Sequence, residues 1–390
     1  MRGRWGAGAA VAAMIAASLG GAAAAAAPAA VPGWPVAARA GQVLPGPGNG
    51  AVIIAPDLLR SSGWFAIAFR SNATRLWRNR GSAGCGNCDD GPQPTRLQPD
   101  GTYGPLGPDG DRIWAVDRRG RAVSGCSGVV RADGTCIFVG GESDHPDLPV
   151  VIARRQGRDL WRLALGDLRW QDEFNVPPMV VADRSGRVYV ALRDARDAAT
   201  GTPLPGVVIA VDTAAPGVAW TRLGPSRMLA GLDSGALATD GSAVASLDAD
   251  GALRWSRAIA AGQAVTPATV AVDPVRQRLY LGRIAAAGRP AAGVTAVDAA
   301  TGAQLWRTAD GDRAALLSTG PSGRVYVALT APARRAVRAI AADGRPAWTL
   351  RSRLPVTGAA ELRTGLVAVS AGSQPGADGT LTLLDPRRRR

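Results

Sequence analysis

The sequence predicts an all-β fold, an eight-bladed β-propeller with seven blades as the alternative count. Three observations carry it. Short β-branched and aromatic runs follow Gly-containing turns throughout the chain. Tryptophan recurs a fixed distance after an Asp–turn–Gly pattern. The repeat averages about 45 residues, the length of a four-stranded blade.

Residues 1–27 read as an export signal. Arg2 and Arg4 form a positive start, Ala9 to Leu19 an apolar stretch broken only by Ser18, and alanines run on to Ala27. The stretch lacks the sustained Leu/Ile/Val/Phe character of a membrane span. Residues 28–390 then read as one propeller domain, exported to the cell envelope or beyond. Val31 to Ala38, with Trp34, is expected to supply the strand that the last repeat lacks.

The repeats follow in order. Ala66 to Trp77 is a degenerate copy in which Ala73 stands in the glycine place. Arg112 to Asp117, with Gly120, makes a blade whose tryptophan slot holds Ser124. Ala153 to Trp161 is degenerate again. Ser185-Gly186-Arg187-Val188-Tyr189-Val190-Ala191 is a turn and a strand, completed by Ala210 to Trp220. Asp248 to Trp255 is the next copy. Arg278-Leu279-Tyr280-Leu281-Gly282 leads to the fullest one, Ala296 to Trp306, in which Asp298 can accept bonds from turn amides and Gly302 can take positive φ. Ser322 to Ala328 and Ala339 to Trp348 form another. Thr364 to Val369 and Leu381 to Asp385 form a unit that stops before its tryptophan. Arg387 to Arg390 reads as a flexible basic tail.

The chain is sparing with aromatics, yet carries 11 Trp against four each of Tyr and Phe. Regular spacing makes Trp34, Trp77, Trp161, Trp220, Trp255, Trp306 and Trp348 wedges between neighbouring blades, each burying roughly 200 Å². All 45 basic residues are Arg and the net charge is +14, a balance read as the mark of a G/C-rich genome and a solvated basic surface. Nucleic acid is not expected as a partner of an exported chain. An anionic envelope ligand or an unidentified protein is, with the chain a monomer.

Cys85, Cys88, Cys126 and Cys136 make an even count, which favours disulfides in an exported protein. Cys85–Cys88 and Cys126–Cys136 are the expected pairs, and a four-cysteine zinc site is the rival reading. His145, the one histidine, lies among acidic residues in an inter-strand loop and is read as solvated. Asp89, Asp90, Asp248 and Asp250 lack the spacing of a calcium loop.

The pattern Ala-x-Asp-x-x-Thr-Gly-x-x-x-Trp at 296–306 resembles the tryptophan-docking motif of the quinoprotein, or PQQ-like, β-propeller superfamily, and the resemblance runs through the repeats from about 49 to 385. Its enzyme branch implies PQQ with calcium, an adjacent cysteine pair against the quinone plane and an Asp base. Here the nearest cysteines are Cys85-Gly86-Asn87-Cys88. No quinone-binding, catalytic or metal-binding residue maps onto the chain, so the resemblance leans to the BamB-like, non-enzymatic branch, although the lipid-bearing cysteine of that branch is missing after the signal. The expectation is an exported scaffold with no cofactor that presents a protein- or ligand-binding face, Gly81 to Asp100 and Arg193 to Pro205 being its longest insertions. A PQQ- and calcium-dependent alcohol or sugar dehydrogenase is the alternative, and a cell-wall glycan-binding protein a third reading.

Overall fold

A computed structural model describes residues 27–57, 63–82, 96–109, 112–141, 147–170, 179–193, 195–225, 227–260, 263–265, 269–273, 275–282, 284–285, 293–308, 314–329 and 335–389. Among them, eight antiparallel sheets form a ring, seven with four strands and one with five. Blade 1 comprises Gln42–Pro45, Ala51–Asp57, Gly63–Phe69 and Arg75–Ser82. Blades 2 to 7 span 96–124, 129–164, 179–223, 227–258, 270–307 and 314–351. Blade 8 holds Val356–Glu361, Val367–Gly372 and Asp378–Arg389.

The outer position of blade 8 is filled from the other end of the chain. Pro28–Ala30 and Val36–Arg39 both pair antiparallel with Asp378–Arg389, with Ala30 opposite Leu384 and Val36 opposite Leu381. Trp34 lies between these two short strands, buried against Phe69 of blade 1. The basic C-terminus differs from its sequence reading. Arg387 to Arg389 belong to the long strand, Arg389 faces Pro28, and Arg387 and Arg388 pair with Asp385. Strand pairing with the N-terminus orders a run that would otherwise repel itself.

Each blade packs one sheet face on the next, so central strands are buried on both faces. Their sequences are accordingly continuous apolar runs: Val188–Leu192 and Val325–Leu329 are buried at every position. Alanine sits between large neighbours. In blades 4, 6 and 7 the cross-strand rows are Tyr189–Ala210–Trp220, Tyr280–Ala296–Trp306 and Tyr326–Ala339–Trp348. A small central residue leaves room for each Tyr and Trp ring to meet over it, at centroid distances of 5.8, 5.8 and 6.0 Å.

In blade 2 Ser124 pairs with Trp114, three residues before the turn Asp117, whereas Trp220, Trp255 and Trp306 pair with the residue two before their turn Asp. The junction with blade 3 carries the Cys126–Cys136 disulfide, whose Cα atoms are 5.6 Å apart and ten residues apart in sequence. Cys85 and Cys88 lie outside the described residues. Closing so short a loop stabilises by about 2–3 kcal/mol through the unfolded chain. Reduction, or replacement of Cys126 and Cys136 by alanine, is expected to lower the urea-unfolding free energy by that amount; an unchanged midpoint contradicts it.

Candidate functional site

Antiparallel order gives the ring two unlike faces. One carries the turns between first and second strands and between third and fourth. These are tight: 98–102, 131–135, 183–187, 320–324 and 362–366 of the first kind, 117–121, 248–252, 299–303 and 341–345 of the second. The other face carries the second-to-third loops and the links between blades. Here lie, among the described residues, 165–170, 195–206, 259–260, 263–265 and 284–285. Two ribbons also stand on it, Leu168–Trp170 with Ala195–Asp197 and Gln263–Ala264 with Ile284–Ala285.

The turn face is consumed by contacts between blades. Asp298 Oδ1 accepts from the amides of Ala300 and Thr301, and Gly302 takes φ +70°. That glycine lies so close to Trp255 of blade 5 that a Cβ would come within 2.6 Å of the indole. Trp255 Nε1 donates to Ala299 O at 3.0 Å. Trp220, Trp306 and Trp77 dock alike, donating to Ala249 O, Ala342 O and Arg118 O and lying on Gly251, Gly344 and Gly120. Trp34 donates to Ser71 O, beside Ala73, which holds φ +70° without being glycine. Trp161 is half-buried in the core between blades 3 and 4. Trp348 packs on blade 8, but its buried Nε1 has no acceptor. Blade 8 takes its outer strand from the N-terminus, so the third-to-fourth turn that would offer a carbonyl is not formed by one continuous chain.

Sequence reading missed a second clip. Two residues after the tryptophan, Asn79, Arg222 and Arg257 donate to the carbonyls of the docking glycines Gly120, Gly251 and Gly302, each at 2.7 Å. Arginines of the inner turns extend the pattern: Arg131 donates to Gly186 O, Arg187 to Ala249 O, Arg276 to Ser322 O and Arg278 to Ala342 O. Part of the arginine complement, Arg131, Arg187, Arg222, Arg257, Arg276 and Arg278, thus laces neighbouring blades. Arginine suits this lacing, with five donors on one planar head. The signal was an Arg or Asn at the second position after Trp, unreadable without knowing what it faces.

All four tyrosines are fully buried. Tyr189 donates to Asp183 at 2.9 Å, and Asp183 also accepts from Ser185, Arg187 N and, across the junction, Gly235 N. In blade 7 Gly320 leaves the corresponding place empty, and Glu361 reaches in from blade 8 to accept from Tyr326 and Ser322. Burial raises Tyr103 to about 12, and burial followed by the adjoining carboxylate pushes Tyr189 and Tyr326 further up. The sign follows. Unfolded tyrosine ionises near pH 10; folded tyrosine resists, so stabilisation is complete below that pH and drains as pH rises through the folded values. In the acid limb the Thr301 amide, then its hydroxyl, holds Asp298 below the usual carboxylate range, and Thr135 does the same for Asp133. Their contribution is present above the unfolded value and is lost as pH falls through the folded one. Absorbance at 295 nm is expected to rise only together with loss of circular dichroism; tyrosinate titrating near pH 10 in folded protein contradicts this.

The loop face holds a different chemistry. At the seam of blades 8 and 1, the Phe65 ring is covered by three guanidiniums. The Cζ atoms of Arg78, Arg80 and Arg39 lie 4.7, 5.1 and 5.6 Å from its centroid. Phe65 is 2% exposed, while Arg78 and Arg80 are exposed and Arg39 is half-buried. Arg39 also donates to Gly376 O and pairs with Asp378 at 3.2 Å.

Two clefts among the described residues measure about 50 and 40 Å³, one lined by Gln98, Ala115, Cys126, Val130 and Cys136, the other by Asp233, Val272 and Gln277. Small-molecule pockets run to about 300–1,000 Å³, so neither takes a quinone. Asp183 and Glu361 are committed to tyrosine hydroxyls, Asp248 to the amides of Asp250 and Ala252, and no three His, Cys, Asp or Glu converge among the described residues. The donor set of a quinone–calcium pair is not assembled by these residues. His145, Asp89 and Asp90 lie outside them.

Comparison with known proteins agrees on the repeat. A family model described as outer membrane protein assembly factor BamB matches residues 290–390. No curated protein matches the chain. Among solved structures, quinohemoprotein alcohol dehydrogenase from Comamonas testosteroni is similar at TM-score 0.56 and 12% identity, over 92% of this chain and 76% of that one. A quinohemoprotein alcohol dehydrogenase from Pseudomonas putida HK5 is similar at TM-score 0.50 and 12% identity, over 90% and 75%. BamB from Moraxella catarrhalis aligns over 92% of this chain and 99% of that one, at 13% identity and TM-score 0.36.

Proposed function

We propose, from the premise that the chain is a β-propeller of the PQQ-like repeat superfamily with its branch open, that it is an exported, non-enzymatic scaffold whose loop face takes a partner in the cell envelope. The unlike construction of the two faces carries this reading. Tight turns, tryptophans and arginines on one face spend their donors holding the ring together. Length and variety are concentrated on the other, where a rigid ring leaves loops free to serve recognition. The ribbon of blade 4 has its own support, since Trp170 N donates to Asp147 O and Ala198 N to Asp167 O.

The test pairs capture with a loop change. Shortening 193–206 to the length of the corresponding 240–242 turn of blade 5 is expected to cut capture of envelope protein by at least about tenfold, which is about 1.4 kcal/mol, with little change in the unfolding midpoint. Arg119→Gln on the turn face is expected to leave capture unchanged. The opposite ranking overturns the proposal. So does dye reduction with alcohols or sugars that requires both PQQ and calcium.

A further inference from the structure

We infer that the junction between blades 2 and 3 is a binding site for an alkyl primary ammonium, the group at the end of a lysine side chain, held by Gln98 and Asp100 in the cleft that a missing aromatic wedge leaves open. The site lies on the turn face and does not depend on the partner proposed above.

The repeat shows where the space comes from. Blades 4, 6 and 7 face the following blade with their Tyr–Ala–Trp rows. Blades 1, 3 and 5 offer Val52–Ala68–Trp77, Ile137–Ala153–Trp161 and Leu237–Ser246–Trp255. In blade 2 the outer residue opposite Ala115 is Val123. On the second strand the place falls to Gly104, one beyond Tyr103, which lies opposite Val116. Tyr103 itself turns to blade 1, where it meets Trp77 and donates to Pro45 O. Neither ring is therefore supplied toward blade 3. The receiving turn tells the same story. Gly157 holds φ +80°, yet nothing lies within 4 Å of where its Cβ would be, whereas indoles come within 2.5–2.8 Å of that place at Gly120, Gly251, Gly302 and Gly344. What remains is the cleft of about 50 Å³ bounded by Gln98, Asp100, Thr102, Ala115, Val130 and the Cys126–Cys136 disulfide.

The free polar atoms of this cleft are acceptors. Gln98 is 5% exposed, and its Nε2 donates to Gly104 O at 2.9 Å. That bond fixes the amide and makes Oε1 the free end, which accepts no bond among the described residues. Asp100 Oδ1 accepts from the Thr102 amide and hydroxyl, while Oδ2 accepts from neither. Arg118 meets this turn at Gly101 and forms no ion pair with Asp100. Acceptors without donors call for a ligand made of donors. An ammonium brings three N–H groups to a carboxylate and an amide oxygen, and charge-assisted bonds are the strong ones. Size narrows the choice. A water occupies about 30 Å³, so an ammonium with its first methylene fills the space, whereas a planar guanidinium is too wide and a trimethylated nitrogen has no N–H. Ala115, Val130 and the disulfide give the methylene an apolar wall. All 45 basic residues of the chain are Arg, so the amine comes from another molecule.

The chain is titrated calorimetrically in low-salt buffer with n-butylamine and with Nα-acetyl-lysine methylamide, and with methylguanidinium and tetramethylammonium as controls. Saturable one-site binding of butylamine is expected, with a Kd of about 1 mM or tighter and the controls at least about tenfold weaker. Asp100→Asn keeps an oxygen for Thr102 but removes the charge, and is expected to lose about tenfold in affinity. Ala115→Val sets two methyl groups into the cleft and is expected to lose at least about tenfold. Asp250→Asn removes a carboxylate from an exposed turn of blade 5 and is expected to stay within about twofold. Absence of saturable binding, which leaves water as the occupant, overturns the proposal. So do tetramethylammonium binding as tightly as butylamine and equal losses in the two Asp variants. Asp100→Asn decides the matter if Ala115→Val fails to fold. The two amines separate the sources: similar affinity for both identifies a lysine side chain of a polypeptide, and binding of butylamine alone a free amine. Failure of amine binding leaves capture of a partner by the 193–206 loop untouched, so the two proposals fail separately.

Discussion

Replacing Trp255 with alanine is expected to cost about 3–5 kcal/mol of unfolding free energy, a large share of the roughly 5–15 kcal/mol that holds a domain folded. Trp255 is 8% exposed and packs with Leu229, Leu237, Val244, Leu279 and Val297 of blades 5 and 6. Its removal opens a cavity and strands the Ala299 carbonyl. The turn cannot close over the gap, because Asp298 pins it and Gly302 has no side chain to offer. Urea unfolding followed by circular dichroism measures the loss; less than about 1.5 kcal/mol rejects the wedge role. Trp348 provides an internal contrast. Its indole nitrogen has no acceptor, so Trp348→Phe forfeits no hydrogen bond and is expected to cost less than Trp255→Phe by about 1 kcal/mol.

Deleting residues 28–39 is expected to abolish the cooperative monomer. The deletion strips both outer partners from Asp378–Arg389 and removes buried Trp34 with the flanking Val31 and Val36 from the blade 8–blade 1 core. The loss exceeds that of one tryptophan, about 5 kcal/mol or more, and reaches the scale of total stability. It also uncovers a long strand edge, which invites pairing with other chains. Light scattering after size exclusion is expected to find oligomers or aggregate, and a peptide of residues 27–41 added in trans to restore a monomer-sized species. A truncated chain that stays monomeric with its unfolding midpoint unchanged contradicts ring closure by this segment.

The fold was legible because its determinants are local. Val188 to Leu192 and Val325 to Leu329 announce strands by composition, and Asp298 with Gly302 announces a turn, each within a few residues. Where the local signal is ambiguous, long-range pairing decides the structure. A run of four arginines reads as a flexible tail, yet Arg387 to Arg389 extend a strand because Pro28, from the other end of the chain, lies opposite Arg389. The missing tryptophan of blade 2 was readable, but not the fact that its junction also holds the disulfide and a small cleft.

Strand periodicity, turn chemistry and aromatic spacing are local, and they already specify an all-β ring of repeats. Which surfaces remain available follows from how the blades pack against one another. Whether an arginine laces a carbonyl, as Arg257 does at Gly302, or gathers with others on a phenyl ring, as Arg39, Arg78 and Arg80 do on Phe65, depends on what the next blade places opposite it. Backbone propensity is a property of neighbours in sequence, whereas convergence of side chains is a property of register and ring closure. The closure that joins the two chain ends also builds the arginine seam, so that seam has no counterpart in any contiguous stretch of the chain.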